Sequence, residues 1–320
     1  MGNETNVVVG AGALGRALAG LLLERGESVR LVDELPQREL PEGAAFTRAD
    51  MTDASAARSA CEGARAVYMC AWPYLPDWYT RYPAMQDAVV DAAAAAGATL
   101  IAADDLYAYG RVDGVVTEET PERPHTRKGE LRAEMARGLL ARVERGDLEA
   151  AIARGPDLYG AWAGQTSAFG GRVFWPAVRG EKVTVMGNLD TAHTVTYARD
   201  YARAMITLAE KIDTSRGQVW HVPSAPTMTQ RDLLHVIIDE ATPGAKAKIS
   251  VTPSMVFRGI GLFVPYMKEL NELLYQWERP LVVGHGKFAD AFGAPEVTPH
   301  RVAVRETLPW YRTHRDPKAK

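Results

Sequence analysis

The chain has 320 residues, 47% of them apolar and 24% charged, with a formal net charge of -3 at neutral pH. Both signs of charge are interspersed and no apolar run reaches membrane-spanning length, which argues against a nucleic-acid surface, an anionic-membrane surface and a membrane anchor. The two cysteines, Cys61 and Cys70, lie outside any metal-ligand spacing and the first residues read directly into a strand without a leader pattern, so no metal, no targeting segment and a reduced, cytoplasmic setting are expected.

Taken in chain order, residues 6–9 form an apolar strand that runs into Gly10-Ala11-Gly12-Ala13-Leu14-Gly15, which opens an amphipathic helix ending near Gly26. A second apolar strand, 28–32, stops at Asp33. This is a dinucleotide fingerprint. Gly10 permits the tight turn, Gly12 lets the backbone approach a pyrophosphate, and Gly15 lets the helix pack on its strand. Ala13 and Leu14 start a helix whose unpaired N–H groups and positive dipole end attract phosphate. Asp33, 18 residues beyond Gly15, is placed to accept hydrogen bonds from an adenosine ribose and to repel a 2'-phosphate, so NAD(H) is expected over NADP(H).

Strand and helix patterns then alternate: a strand at 44–48, a helix from Ala54, a strand at 66–71, a helix at 83–96 and a strand at 99–103. A loop at 110–124 precedes a helix at 127–145 and a strand at 149–154. After Gly155, Pro, Gly and aromatic residues become frequent, with short strands at 183–186, 219–222 and 248–251 and helices at 198–211, 230–240 and 257–276. The pattern predicts an α/β fold with a Rossmann-type, doubly wound parallel sheet. Residues 1–160 are expected to form the dinucleotide-binding domain. Residues 161–320 are expected to be mainly a substrate-binding portion, interleaved with the last strands of the sheet.

Several later segments resemble the extended short-chain dehydrogenase/reductase superfamily, also called the NAD-dependent epimerase/dehydratase family. Ala49-Asp50-Met51-Thr52-Asp53 is similar to its "GDltD" segment, and Val67-Tyr68-Met69-Cys70-Ala71 to its fourth strand. Leu106-Tyr107-Ala108-Tyr109-Gly110 with Glu119-Thr120-Pro121 resembles "VYG … E.tP", Arg154-Gly155-Pro156-Asp157-Leu158-Tyr159-Gly160 resembles "Rp.nvYGP", and Thr196-Tyr197-Ala198-Arg199-Asp200 resembles "VyVdD". The resemblance implies an adenine contact at Asp50, with Met51 beside it, and a cofactor-facing Ala71. It also implies a Tyr-x-x-x-Lys pair, in which the Tyr protonates the carbonyl oxygen and the Lys holds the ribose. Aligned on Pro121 and Pro124, that pair falls on Lys128 and Arg132. The Tyr is missing, and Ala103-Asp104-Asp105 stands where the family usually has hydroxyls.

Replacement proton donors are therefore sought nearby. Tyr107 and Tyr109 follow the fifth strand, and Tyr107 lies nearer its end. Lys128 is a candidate ammonium donor and Arg132 a candidate cofactor clamp, because a guanidinium does not deprotonate at usable pH. His193 stands where nucleotide-sugar members of the family place an Arg that grips the diphosphate, and is a candidate substrate contact or proton relay. Trp72, Tyr74 and Trp78 belong to an aromatic-rich stretch after the fourth strand, suited to a flat or apolar substrate. Tyr159 is a further candidate substrate contact, and Phe169, Phe174 and Trp175 are candidates for the opposite wall.

The leading expectation is an NADH-dependent ketoreductase or alcohol dehydrogenase acting on an apolar or aromatic small molecule, of a kind seen in natural-product metabolism. An epimerase or dehydratase with retained NAD is the first alternative. A non-catalytic dinucleotide-sensing regulator is the second. Neither nucleic acid nor membrane is expected as a partner, and the reading leaves room for a homodimer.

Overall fold

The computed structural model describes residues 5–37, 39–164 and 167–317. Its centre is a seven-stranded, wholly parallel sheet. The strands are β1 (Thr5–Val9), β2 (Ser28–Asp33), β3 (Ala45–Arg48), β4 (Ala64–Met69), β5 (Thr99–Asp104), β6 (Ala150–Arg154) and β7 (Val219–His221). Their order is β7-β6-β5-β4-β1-β2-β3, so the winding reverses between β1 and β4, where such sheets leave a crevice at their carboxyl ends.

Helices cover both faces, which explains why strands such as Val7-Val8-Val9 are apolar without alternation. On one face α1 (Ala13–Glu24) lies beside α6 (Ala198–Glu210), with Leu14, Leu18, Leu22, Tyr201 and Met205 against the sheet. On the other face α2 (Ala54–Cys61), α3 (Trp78–Ala96) and α4 (Arg127–Glu144) bury Ala57, Val89, Met135 and Leu139. Because α6 and β7 return to the sheet, the chain after residue 160 divides between the two parts of the fold.

The smaller part packs α5 (Gly171–Val178), α7 (Gln230–Ala241) and α10 (His300–Thr313) around Phe174, Leu234, Leu308 and Tyr311. Two of its features depart from expectation. The helix expected at 257–276 is broken into α8 (Ser254–Ile260), α9 (Pro265–Asn271) and a short turn, Tyr275–Glu278. Gly259, Gly261 and Pro265 interrupt the helical run. A Cβ on Gly261 would come 2.2 Å from Asn271 Nδ2, so the chain folds back tightly there. Helix α10 was not anticipated, because Pro309 sits inside it and masks the periodicity. Elsewhere β4 starts and ends two residues early, and α3 begins at Trp78 rather than Pro83. Among the described residues no helix is long and apolar enough to cross a membrane.

Candidate active site

A cavity of about 570 Å³ opens along the carboxyl ends of β1, β2, β4 and β5 and continues under the smaller part of the fold. Its first half is made largely of backbone. Gly10, at φ +102°, donates its N–H to the Val32 carbonyl at 2.7 Å, and a Cβ there would lie 2.8 Å from the Ala71 backbone. A Cβ on Gly15 would fall 1.8 Å from the Gly10 carbonyl oxygen, so only glycine lets α1 approach β1 this closely. Gly12 differs: a Cβ there meets no protein atom within 4 Å, because the space beside it is the cavity itself. No side chain caps α1, whose first turn, Gly12, Ala13 and Leu14, lines the cavity. The N–H groups of that turn lack intrahelical acceptors and suit an anionic pyrophosphate.

Asp33 lies at the end of β2, where one carboxylate oxygen accepts the Ala11 N–H at 2.8 Å and the other the Leu35 N–H at 2.9 Å. Glu34, Asp50 and Met51 line the same end, and Arg81 bridges Glu34 and Asp50. Ala71 closes the floor. This end carries three acids and one paired arginine, which favours a free ribose hydroxyl over a 2'-phosphate. Arg16, not singled out in the sequence, donates to the Ala11 carbonyl at 2.7 Å and stacks 3.8 Å over the Trp162 ring. It thereby joins the glycine loop to the smaller part of the fold.

The second half is lined by side chains from distant segments. Trp72, Tyr74 and Trp78 line it as expected from the aromatic stretch, with Leu75, Tyr107, Met186, Tyr266, Leu270, Leu273 and Trp277. Tyr74 stacks on Tyr266 of α9 at 5.7 Å between ring centres. The charged groups there are Asp105, Asp157 and Arg172, with Asp104 on the floor. Nothing in the sequence pattern singled out the residues from 266 onward, because their approach depends on how α9 folds over the sheet edge.

Of the candidates for catalysis, Tyr107 lines the cavity; burial raises its phenol well above the ordinary range. The other three are not brought to it. Tyr109 is buried with its hydroxyl 2.8 Å from His221 Nε2, since the single turn Tyr107–Tyr109 points the two phenols apart where an extended segment would align them. His193 stands behind Asp157, its Nε2 3.0 Å from Asp157 Oδ2, and Asp157 is the member that reaches the cavity. Lys128 is wholly buried, its ammonium bound to Glu269 of α9 and 3.1 Å from the Tyr79 hydroxyl, while Glu272 accepts its backbone N–H at 3.3 Å. It fastens α9 to α4. Arg132, read as a cofactor clamp, turns to the sheet instead: its Nε donates to Asp104 at 2.9 Å and its guanidinium carbon lies 4.2 Å from the centre of the Tyr82 ring. Tyr159 and the expected wall residues Phe174 and Trp175 are core: Tyr159 bonds His300 at 2.9 Å, and Phe174 and Trp175 pack on Tyr311.

Two adjacent carboxylates end β5 beneath the cavity. Asp104 accepts from Arg132 and, at 2.7 Å, from Arg154, whose other arm reaches Glu122 at 2.9 Å. Against the burial that would raise it, these two guanidiniums hold the Asp104 carboxyl below the usual carboxylate range. Asp105 accepts the Tyr107 N–H at 2.9 Å through Oδ1, whereas Oδ2 makes no hydrogen bond and lies 3.3 Å from Arg132 Nε. Burial, reinforced by Asp104 and only partly offset by Arg132, pushes the Asp105 carboxyl up to about 7. Among the described residues no cluster of ligating side chains suits a metal ion.

The sequence matches the model of the NAD dependent epimerase/dehydratase family over residues 7–222. No curated protein matches the chain by sequence. Solved structures similar to it include a dTDP-glucose 4,6-dehydratase, DesIV, of Streptomyces venezuelae with NAD bound (TM-score 0.77, 17% identity, 96% of this chain and 97% of that one). A UDP-glucose 4-epimerase of Thermotoga maritima is similar at TM-score 0.76 and 16% identity, covering 96% of this chain and 98% of that one. The UDP-glucose 4-epimerase of Thermus thermophilus with NAD reaches TM-score 0.76 and 20% identity, covering 97% and 99%. At such identities the likeness carries the fold.

Proposed function

The chain belongs to the NAD-dependent epimerase/dehydratase family and is an NAD-dependent enzyme of the extended short-chain dehydrogenase/reductase type, and from that premise we propose that it interconverts a ketone and a secondary alcohol on an apolar or aromatic small molecule. NAD(H), when bound, supplies the hydride acceptor or donor. The glycine loop and the first turn of α1 would hold its pyrophosphate, and Asp33 its adenosine ribose.

The observation that carries the substrate class is the composition of the second half of the cavity. Tyr74, Leu75, Met186, Tyr266, Leu270 and Trp277 offer area and ring faces, while Asp105 and Asp157 stand against the single cation Arg172 among the described residues lining that half. A nucleotide diphosphate, with two or more negative charges, would meet more acid than base there. A flat aryl group would exclude water and bury apolar surface.

The test is a set of aryl ketones and benzylic alcohols, with UDP-glucose and dTDP-glucose alongside, followed by NADH absorbance and product analysis. Stoichiometric NADH consumption with an aryl ketone, and none with the sugar nucleotides, is the expected result. Epimerised or dehydrated sugar nucleotide without net NADH consumption overturns the reading in favour of the epimerase/dehydratase alternative.

A further inference from the structure

We propose that Asp105, in place of the family's tyrosine, is the group that exchanges a proton with the substrate oxygen. The inference rests on the ketone/alcohol reading above and adds the residue that handles its proton. Three observations lead to it. Asp105 directly follows β5 and lines the cavity beside Tyr107. Its Oδ2, buried and 3.3 Å from Arg132 Nε, accepts no hydrogen bond, whereas both oxygens of Asp104 accept from the two arginines. The residues at the helix positions that would carry the acid and its lysine are engaged elsewhere, Lys128 with α9 and Arg132 with Asp104.

Uneven sharing of the two buried guanidiniums gives the proton its reason to move. Asp104 takes hydrogen bonds from both Arg132 and Arg154, and Glu122, shared with the exposed Arg137, takes the other arm of Arg154, so Asp105 is left with only the 3.3 Å approach of Arg132 Nε. The remaining titratable neighbours, Tyr82 on α3, Tyr107, Tyr201 on α6 and Tyr275, are phenols that burial keeps protonated. They do not compete for the proton near neutrality.

With NAD(H) bound as hydride acceptor, oxidation would pass the substrate's hydroxyl proton to the Asp105 carboxylate as the carbon gives up hydride and the C–O bond becomes a carbonyl. In the reductive direction the carbon receives hydride and the neutral carboxyl returns the proton to the oxygen. Oxidation therefore needs Asp105 ionised and speeds up as pH rises through about 7, whereas reduction slows over the same range.

The experiment compares the parent with Asp105→Asn, Asp105→Glu and Tyr107→Phe in full pH profiles of benzylic alcohol oxidation, with thermal melting of each protein at pH 5 and pH 8. Asp105→Asn should lower kcat by roughly two to four orders of magnitude, the span of general acid–base catalysis. It should erase the inflection near 7 that Tyr107→Phe retains, and Asp105→Glu should restore part of the rate. Melting supplies a readout without substrate. The folded carboxyl keeps a proton that the unfolded one releases above about pH 4, so the parent loses stability as pH rises from there to about 7. Asp105→Asn should therefore melt above the parent at pH 8, by more than at pH 5. An Asp105→Asn protein that keeps kcat within threefold and retains the inflection overturns the inference while the ketone/alcohol reading stands. If no aryl alcohol or ketone turns over, that reading falls, and melting differences equal at the two pH values then overturn the proton assignment as well.

Discussion

The two halves of the cavity are built by different means. The nucleotide half is built largely on the main chain of one continuous stretch, 8–15, with Asp33 and Glu34 at the end of β2 and Asp50, Met51 and Ala71 beside them. The substrate half is made of side chains drawn from β5, the loop after β4, α9 and the turn beyond it, residues more than 150 positions apart. Backbone architecture leaves its trace as glycine spacing, because at Gly10 and Gly15 main chain stands where a Cβ would lie and at Gly12 the space is kept open. Side-chain architecture leaves no such trace, because each wall residue answers a contact that only folding creates.

The sharpest test of this contrast sets Gly15→Val against Gly12→Val. At Gly15 a side chain strikes the Gly10 carbonyl, so the protein should fail to fold or melt far below the parent. At Gly12 the protein has room, so melting should stay near the parent value while NADH affinity drops by roughly a hundredfold, about 2.7 kcal/mol. Equal melting losses in the two variants would show that the space beside Gly12 is not reserved for a ligand.

Next in size is Asp104→Asn. It removes the charge shared by two buried guanidiniums and should destabilise by about 3–5 kcal/mol in denaturant unfolding, as breaking a buried pair generally does. A loss no larger than a surface substitution would mean that Glu122 and Asp105 suffice to hold Arg132 and Arg154.

Lys128→Met probes the substrate half alone. With the ammonium gone, α9 loses its tie to α4 and carries Tyr266 and Leu270 less firmly, so KM for the carbonyl substrate should rise by roughly tenfold, about 1.4 kcal/mol, with NADH affinity unchanged. A fall in kcat without a change in KM would place Lys128 in the proton path instead.

The smallest effect is expected at Asp33→Ala, which should narrow the preference for NADH over NADPH by several-fold in parallel titrations. Part of the loss will come from the Ala11 and Leu35 N–H groups that the carboxylate now holds. An unaltered preference would move the selectivity to Glu34 and Asp50.

The local sequence determined the dinucleotide cradle, the parallel sheet and the aromatic stretch at 72–78, since strand apolarity, glycine spacing and an acid at a strand end are each set within a short window. Tertiary structure decided the chemistry of the other half. It turned Tyr109 toward His221, drew Lys128 under α9 and paired Arg132 with Asp104, all of which lie close to the cavity in sequence-based register yet face away from it. It also left Asp105 with an oxygen lacking a hydrogen bond, where the sequence offers only two neighbouring acids at a strand end. The physical reason is that a buried polar or charged group takes whichever partner the packed neighbours provide. For these residues the partners come from 28, 50, 112 and 141 positions away.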